Sequence, residues 1–233
     1  MSKNGLDNGG TEIFLQNPAA FESFLKNHDH EAAEVAFLES ILEPGMKVID
    51  VGANIGVTCI AIAKQVGEKG KVYAFEPHPR YFAILKENLS SNRLSNVSAF
   101  EVALTDSAGK VDFYQKELSS GIVSAEGAQK IEAPCTSIDR FLNEQKSHGV
   151  DIINMDCEGS ELLVLRGAER TLRMNKVKIF CEIHHDFLRQ LGQSVADIII
   201  CLQKLGYEVH SFSPDKLQIG DDFDRPEYIY GHN

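Results

Sequence analysis

A chain of 233 residues, 43% apolar and 24% charged, has the size of one α/β domain with an N-terminal extension and can bury a substantial core. A formal net charge of −11 argues against a broad nucleic-acid surface, and no apolar run approaches the length of a membrane span. Five cysteines form no C-x-x-C pair, and the polar start Met1-Ser2-Lys3-Asn4-Gly5 lacks the apolar core of a signal peptide, so reduced thiols in a cytoplasmic protein are expected.

Residues 1–16 are polar and glycine-bearing and are expected to be poorly ordered. Asn17-Pro18 is a helix start, with Asn as N-cap and Pro at the first position. A second helix is expected from Glu31 to Leu42, with Ala33, Phe37, Leu38, Ile41 and Leu42 on one face. Residues 1–43 therefore read as a helical extension that covers a sheet edge or joins a substrate pocket, and residues 44–233 as the main domain. Glu43-Pro44-Gly45 breaks the helix.

Lys47-Val48-Ile49-Asp50-Val51 reads as a buried parallel strand, followed by a tight turn holding Gly52, Ala53, Asn54 and Gly56 and then a helix to Val66. Glycines let backbone approach a ligand closely, and the helix N-terminus offers unpaired N–H groups. A dinucleotide fingerprint would read G-x-G-x-x-G; here the turn reads D-x-G-x-N-x-G, with Asn54 in place of the middle glycine. Asn tolerates left-handed backbone angles, so the turn remains buildable. Lys71-Val72-Tyr73-Ala74-Phe75 is the next strand and ends in Glu76-Pro77, about twenty residues past the turn, where a carboxylate can accept hydrogen bonds from both hydroxyls of an adenosine ribose.

A third strand is expected over Val97–Ala103, placing Glu101, Val102 and Ala103 beside the adenine, and Lys110–Tyr114 reads as a short alternating strand. Residues 115–130 lack periodicity and read as a loop, either a binding loop or a surface excursion. Thr136-Ser137-Ile138-Asp139 resembles a capping box opening a helix through Phe141 and Leu142. Val150–Met155 is a strand that delivers Asp156-Cys157-Glu158-Gly159, and Lys176–Cys181 is another, delivering Glu182-Ile183-His184. Ser194 caps a further helix, and two closing strands lie at 207–212 and 227–230. Alternating strands and helices require a parallel sheet, whose ligands gather at the strand C-terminal ends.

The segments Val48–Gly56, Ala74-Phe75-Glu76-Pro77, Asp156-Cys157-Glu158-Gly159-Ser160-Glu161 and Glu182-Ile183-His184, together with Asp139 and Val164–Ala168, resemble the FkbM family of S-adenosylmethionine (SAM)-dependent methyltransferases. That resemblance implies the Rossmann-like class I fold: a mostly parallel seven-stranded sheet with helices on both faces. It implies SAM bound by Asp50, Gly52, Ala53, Asn54, Gly56, Glu76, Pro77, Glu101, Val102 and Ala103, with Asp156 at the border. It also implies methyl transfer to a hydroxyl on a sugar, glycan or secondary metabolite, with no nucleic-acid or membrane partner. Asp156 or His184 is the expected base, and Glu158 and Glu182 orient the acceptor. Asn154 departs from the pattern, which often carries Lys at that position. A variant sets a divalent metal among Asp156, Glu182 and His184, and the metal-free version is preferred. Two competitors remain: an NAD-dependent oxidoreductase, which needs the intact glycine fingerprint, and a non-catalytic SAM- or nucleotide-binding module. Neither acceptor identity nor oligomeric state is legible.

Overall fold

The computed structural model describes residues 5–8, 11–14, 31–115, 120–124, 126–147, 149–214 and 218–233. The helix start expected at Asn17-Pro18 lies outside them. Gly5–Asn8 (β1) and Thr11–Phe14 (β2) pair as an antiparallel hairpin, Gly5 opposite Phe14 and Asn8 opposite Thr11. The expectation of a poorly ordered start is corrected for these residues: strands of four residues are too short for their periodicity to register.

Glu31–Ile41 (α1) is helical as expected. Its Phe37 ring lies 4.8 Å from Phe180, 4.4 Å from Phe212 and 5.4 Å from Tyr230. The helix thus covers one face of the sheet, and the aromatic contacts contribute about 0.5–1.5 kcal/mol per pair beyond the area they bury.

The main sheet has eight strands. Lys47–Val51 (β3) lies between Lys71–Phe75 (β4) and Ile152–Met155 (β9), parallel to both. Val97–Phe100 (β5) extends it beyond β4, and Lys178–Glu182 (β10) extends it beyond β9, again in parallel. Tyr228–His232 (β13) then pairs antiparallel with β10, and Glu208–Ser213 (β11) antiparallel with β13. The expected seven-stranded sheet is therefore present, and Gln218–Gly220 (β12), too short to show alternation, adds an eighth strand at the edge beside β11. Helices flank both faces. On one side α1, Val57–Val66 (α2) and Pro79–Ser91 (α3) share a core with Val48, Ala74 and Phe180. On the other, Ile138–Glu144 (α4), Glu161–Arg166 (α5), Glu169–Met174 (α6), His185–Gln190 (α7) and Val195–Lys204 (α8) pack over Ile49, Ile153 and Ile179. Among the described residues no helix is long and apolar enough to cross a membrane.

The third strand stops earlier than expected. After Phe100 the chain leaves the main sheet, and Ala103–Leu104 (β6) pairs with Gln129–Thr136 (β8), which also pairs with Gly109–Gln115 (β7) in a small second sheet. No strand was expected at β8, because Pro134 interrupts its pattern and its outward positions are charged. Lys110–Glu132 and Lys130–Asp112 pair across β7 and β8. The capping box is also corrected. Ser137 is the N-cap, its hydroxyl accepting from Arg140 N at 3.2 Å, while Asp139 turns away to accept from Arg170 N and Thr171 N, both at 2.8 Å, and so caps α6.

Candidate active site

Strand order reverses between β3 and β9: from β3 the chain first builds outward through β4 and β5, then returns to the other side with β9 and β10. A crevice outside the carboxyl ends of such a pair is where open α/β sheets take ligands. The exits of β3, β9 and β4 are fastened together at their ends. Asp156 N donates to Val51 O at 3.0 Å, and Gly52 N and Ala53 N both donate to Phe75 O at 2.9 Å. Gly52 has φ +83°, and a Cβ built on it would stand 1.8 Å from the backbone oxygen of Asp156. Gly52→Ala is therefore expected to force the β3 and β9 exits apart and to add roughly 1–2 kcal/mol of left-handed strain. Thermal unfolding should show a fall of several degrees, and an unchanged midpoint would refute the close approach. Asn54 sits at φ +48°, the left-handed conformation its place in the turn demands.

One cleft at this edge is lined by Gly52, Asn54, Glu76, Pro77, Val102 and Ala103, and by Asp156 and Glu158 from the neighbouring strand exit. The other residues expected at a cofactor do not line it. Asp50 and Ala53 are buried below it, Gly56 caps α2 with φ +98°, and Glu101 is solvent-exposed. Asp50 Oδ1 accepts from Asn154 Nδ2 at 2.9 Å across the β3–β9 ladder, and no described nitrogen or oxygen donor reaches Oδ2. Asn154, the departure from the family pattern, is thus the donor that satisfies one oxygen of a buried carboxylate. Burial pushes the Asp50 pKa up to about 6, against hydrogen bonds from Asn154 and the Cys59 thiol that pull it down.

Glu76 is 5% exposed. Its Oε2 accepts from Asn54 N at 2.8 Å and its Oε1 from His78 N at 2.7 Å. Burial raises its pKa to about 7 against these two hydrogen bonds, with the Asp50 charge adding to the rise. Each oxygen keeps a lone pair, enough for the two hydroxyls of a ribose. Val102, Leu104, Phe113 and Tyr81 supply apolar and aromatic wall for a base. The glycine turn at the cleft edge, the carboxylate at Glu76 and these walls fit an adenosine-bearing cofactor.

Glu182 and His184 do not line this cleft. They line an adjoining groove with Phe187, Gln190, Arg225 and Tyr228. The two meet at His184, whose Nε2 lies 3.4 Å from Asp156 Oδ1 and 3.8 Å from both Glu158 Oε2 and Glu182 Oε1. All four residues expected to act on the acceptor are thereby brought together. On its other side His184 Nδ1 lies 2.8 Å from Glu161 Oε1. Burial alone would lower the His184 pKa, but the hydrogen bond to Glu161 and the carboxylates of Asp156, Glu158 and Glu161 outweigh it and raise it to about 10. At neutral pH the ring is an imidazolium, with no lone pair to take a proton, so of the two expected bases the geometry leaves Asp156. Asp156, Glu158 and His184 also present ligand atoms within 4.8 Å of one another, with Glu158 in the place expected of Glu182, but a divalent ion there would have to displace the imidazolium proton.

Glu161 is the residue that sequence reasoning passed over as ordinary helix. It is 0% exposed and accepts from Gly159 N at 3.1 Å as well as facing His184. The only signal was an acid in the first turn after D-x-E-G, which reads equally as a dipole-compensating residue. Glu158 itself adopts φ +50°, and a Cβ on Gly121 would stand 2.7 Å from its backbone oxygen, so residues 120–124 lie against the motif.

A family profile described as the methyltransferase FkbM domain matches residues 50–209. The chain is 29% identical over 155 residues to the 2-O-methyltransferase NoeI of Sinorhizobium fredii, covering 57% of this chain and 62% of that protein. It is 32% identical over 139 residues to the hexuronic acid methyltransferase AglP of Haloferax volcanii, covering 58% and 54%. The chain thus spans little more than half the length of these curated relatives. Among solved structures, the methyltransferase FkbM from Methylobacillus flagellatus superposes with a TM-score of 0.56 at 18% identity, over 93% of this chain and 54% of that one, and shares its fold.

Proposed function

The chain belongs to the FkbM-domain methyltransferase family, and from that premise we propose that it methylates a hydroxyl oxygen of a sugar, glycan or secondary metabolite. Its cofactor is S-adenosylmethionine. The observation that carries the reading is the junction at Asp156, which lines the cleft with Glu76 and lies 3.4 Å from His184 of the acidic groove beside it. The names of two relatives, an O-methyltransferase and a methyltransferase of hexuronic acid, support a hydroxyl acceptor of the sugar class. Family membership sets aside the oxidoreductase alternative, in keeping with Asn54 in place of the fingerprint glycine. We place the protein in the cytoplasm, where its free thiols, those of Cys59, Cys135 and Cys181 buried, stay reduced.

When bound, the cofactor supplies a methyl group made electrophilic by its sulfonium. The chain's own residues then do the following. Glu76 would hold the ribose, with Gly52 and Asn54 of the turn lining the cleft beside it. Glu158 and Glu182 accept hydrogen bonds from the acceptor and fix its orientation. Asp156 would take the proton that the acceptor hydroxyl gives up as its oxygen accepts the methyl group. His184, held by Glu161, keeps Asp156 in place and neutralises part of a cluster that would otherwise repel itself. Positioning the two reactants in line turns a bimolecular step into an effectively unimolecular one.

Calorimetric titration tests the cofactor half directly. Binding of SAM or S-adenosylhomocysteine in the micromolar range, about −8 kcal/mol, is expected, with no measurable heat from NAD. Tighter binding of NAD than of SAM would sink the proposal.

A further inference from the structure

The opposite end of the sheet carries a second cluster of metal-ligating side chains. In the β11–β13 ladder Glu208 faces His232 and His210 faces Tyr230, two positions along. Alternate residues of a strand share a face, so Glu208, His210 and His232 rise from the same side, one pair directly opposite and the third diagonal to it. His232 lies beyond Gly231, which is level with Ile179 near the start of β10, while the cofactor cleft opens at the other end of that strand. A ligand atom from each of the three residues lies within 4.8 Å of the others. The His210 and His232 rings stand 5.5 Å apart at 19°. Both histidines are half-buried, whereas Glu208 is open to solvent.

We propose that Glu208, His210 and His232 bind one transition-metal ion of the zinc type, clamping β13 to β11 independently of the methyl-transfer site. The donor set selects the ion class. Two imidazoles and one carboxylate suit Zn²⁺, Co²⁺, Ni²⁺ or Cu²⁺, whereas Mg²⁺ and Ca²⁺ take oxygen ligands. Three protein ligands leave a fourth position for water. A fourth residue completes the arrangement: Asp221 Oδ1 lies 3.1 Å from His210 Nδ1. A metal-bound imidazole characteristically donates its other N–H to a carboxylate, which fixes the tautomer and turns the remaining lone pair toward the ion. Here that lone pair is on Nε2. Tetrahedral ligand atoms about 2.0–2.2 Å from zinc are roughly 3.5 Å apart, a spacing that ligand atoms already within 4.8 Å of one another approach.

The experiment titrates the full chain, stripped with EDTA and dialysed, with Zn²⁺ in a calorimeter, and repeats it with Co²⁺ in a spectrophotometer. The expected result is one ion per chain, a Co²⁺ spectrum of nitrogen and oxygen ligands without a thiolate charge-transfer band, and a Zn²⁺-dependent rise in melting temperature. His210→Ala and His232→Ala should each abolish that site. Asp221→Asn, which removes only the orienting carboxylate, should weaken it by about 10–100-fold. SAM affinity should be unchanged in all three. Should a histidine variant fold poorly, Glu208→Gln alters only an exposed side chain and must still weaken Zn²⁺ binding. Equal Zn²⁺ binding by the wild type and the His210→Ala/His232→Ala double variant would place the ion elsewhere, at Asp156, Glu158 and His184 or at a thiolate, and overturn the proposal. So would the absence of any Zn²⁺ binding.

Discussion

Asp156→Asn is expected to lower methyl transfer by about a hundred- to ten-thousand-fold, the range for loss of a general base, with SAM affinity nearly unchanged. Asparagine keeps the shape and the hydrogen-bonding reach but cannot accept a proton. His184→Ala should behave differently. Its imidazolium is the cation among four carboxylates, and its removal leaves Glu161, 0% exposed, with an unmatched charge. Breaking a buried pair from one side costs about 3–5 kcal/mol, so this variant should lose stability as well as turnover. Its pH dependence has a definite sign. The folded-state pKa, raised to about 10, lies above the unfolded value of 6.5. The ring's contribution to stability is therefore complete below pH 6.5 and is lost as pH rises through 10. Urea unfolding between pH 6 and 10 reads this directly, and the steepening above pH 6.5 should vanish in His184→Ala. A free imidazole base would instead make turnover at saturating SAM fall below pH 6.5, and no such limb is expected. Full turnover by Asp156→Asn on a genuine acceptor would remove the base from Asp156 whether or not SAM still binds.

Much of the parallel half of the fold was legible because its signals are local. The run Val48–Val51, the turn through Gly56 and the carboxylate at Glu76 each announce themselves within a few residues, and the alternation of strands and helices implies a parallel sheet covered on both faces. What was not legible depends on partners distant in sequence. Asp139 looked like a reciprocal cap for its own helix, yet its carboxylate is claimed by Arg170 N and Thr171 N, thirty-one and thirty-two residues away. β8 carries Pro134 and reads as loop until β6 and β7 are placed on either side of it. The charge state of His184 was the hardest to foresee. A histidine after a buried strand suggests a base, and only the convergence of Glu161, Asp156 and Glu158 on its ring turns it into a cation. Asn154 shows the reverse: a departure from the family pattern that threatened a role became intelligible once Asp50 was seen opposite it.

Glu76→Ala should weaken SAM binding by about 1.5–3 kcal/mol, the worth of hydrogen bonds to a charged group. From sequence alone, little change would be expected in the ligand-free protein, as for a carboxylate facing an empty cleft. The structure alters that expectation: both Glu76 oxygens already accept backbone N–H groups, from Asn54 in the glycine turn and from His78 at the head of α3. Alanine leaves both donors unmatched, so the ligand-free protein should also lose about 1–3 kcal/mol, whereas Glu76→Gln keeps one acceptor and should lose less. The carboxyl pKa of about 7 adds a further signature. Hydroxyl donors prefer the ionised form, so affinity should be constant well above pH 7 and fall by up to about tenfold per pH unit below it. The ligand-free protein has the opposite dependence. A carboxyl whose pKa is raised above its ordinary value favours the fold at low pH, and that advantage is lost as pH rises from about 4.5 to about 7. The cofactor's own amino group titrates near pH 8, so the clean probe is 5′-methylthioadenosine, which keeps the ribose and lacks that group. Its dissociation constant should rise below pH 7 for the wild type and stay flat for Glu76→Gln. A flat wild-type profile, or an unchanged affinity in Glu76→Ala beside a large loss of stability, would make Glu76 a brace for the turn that never touches the ribose.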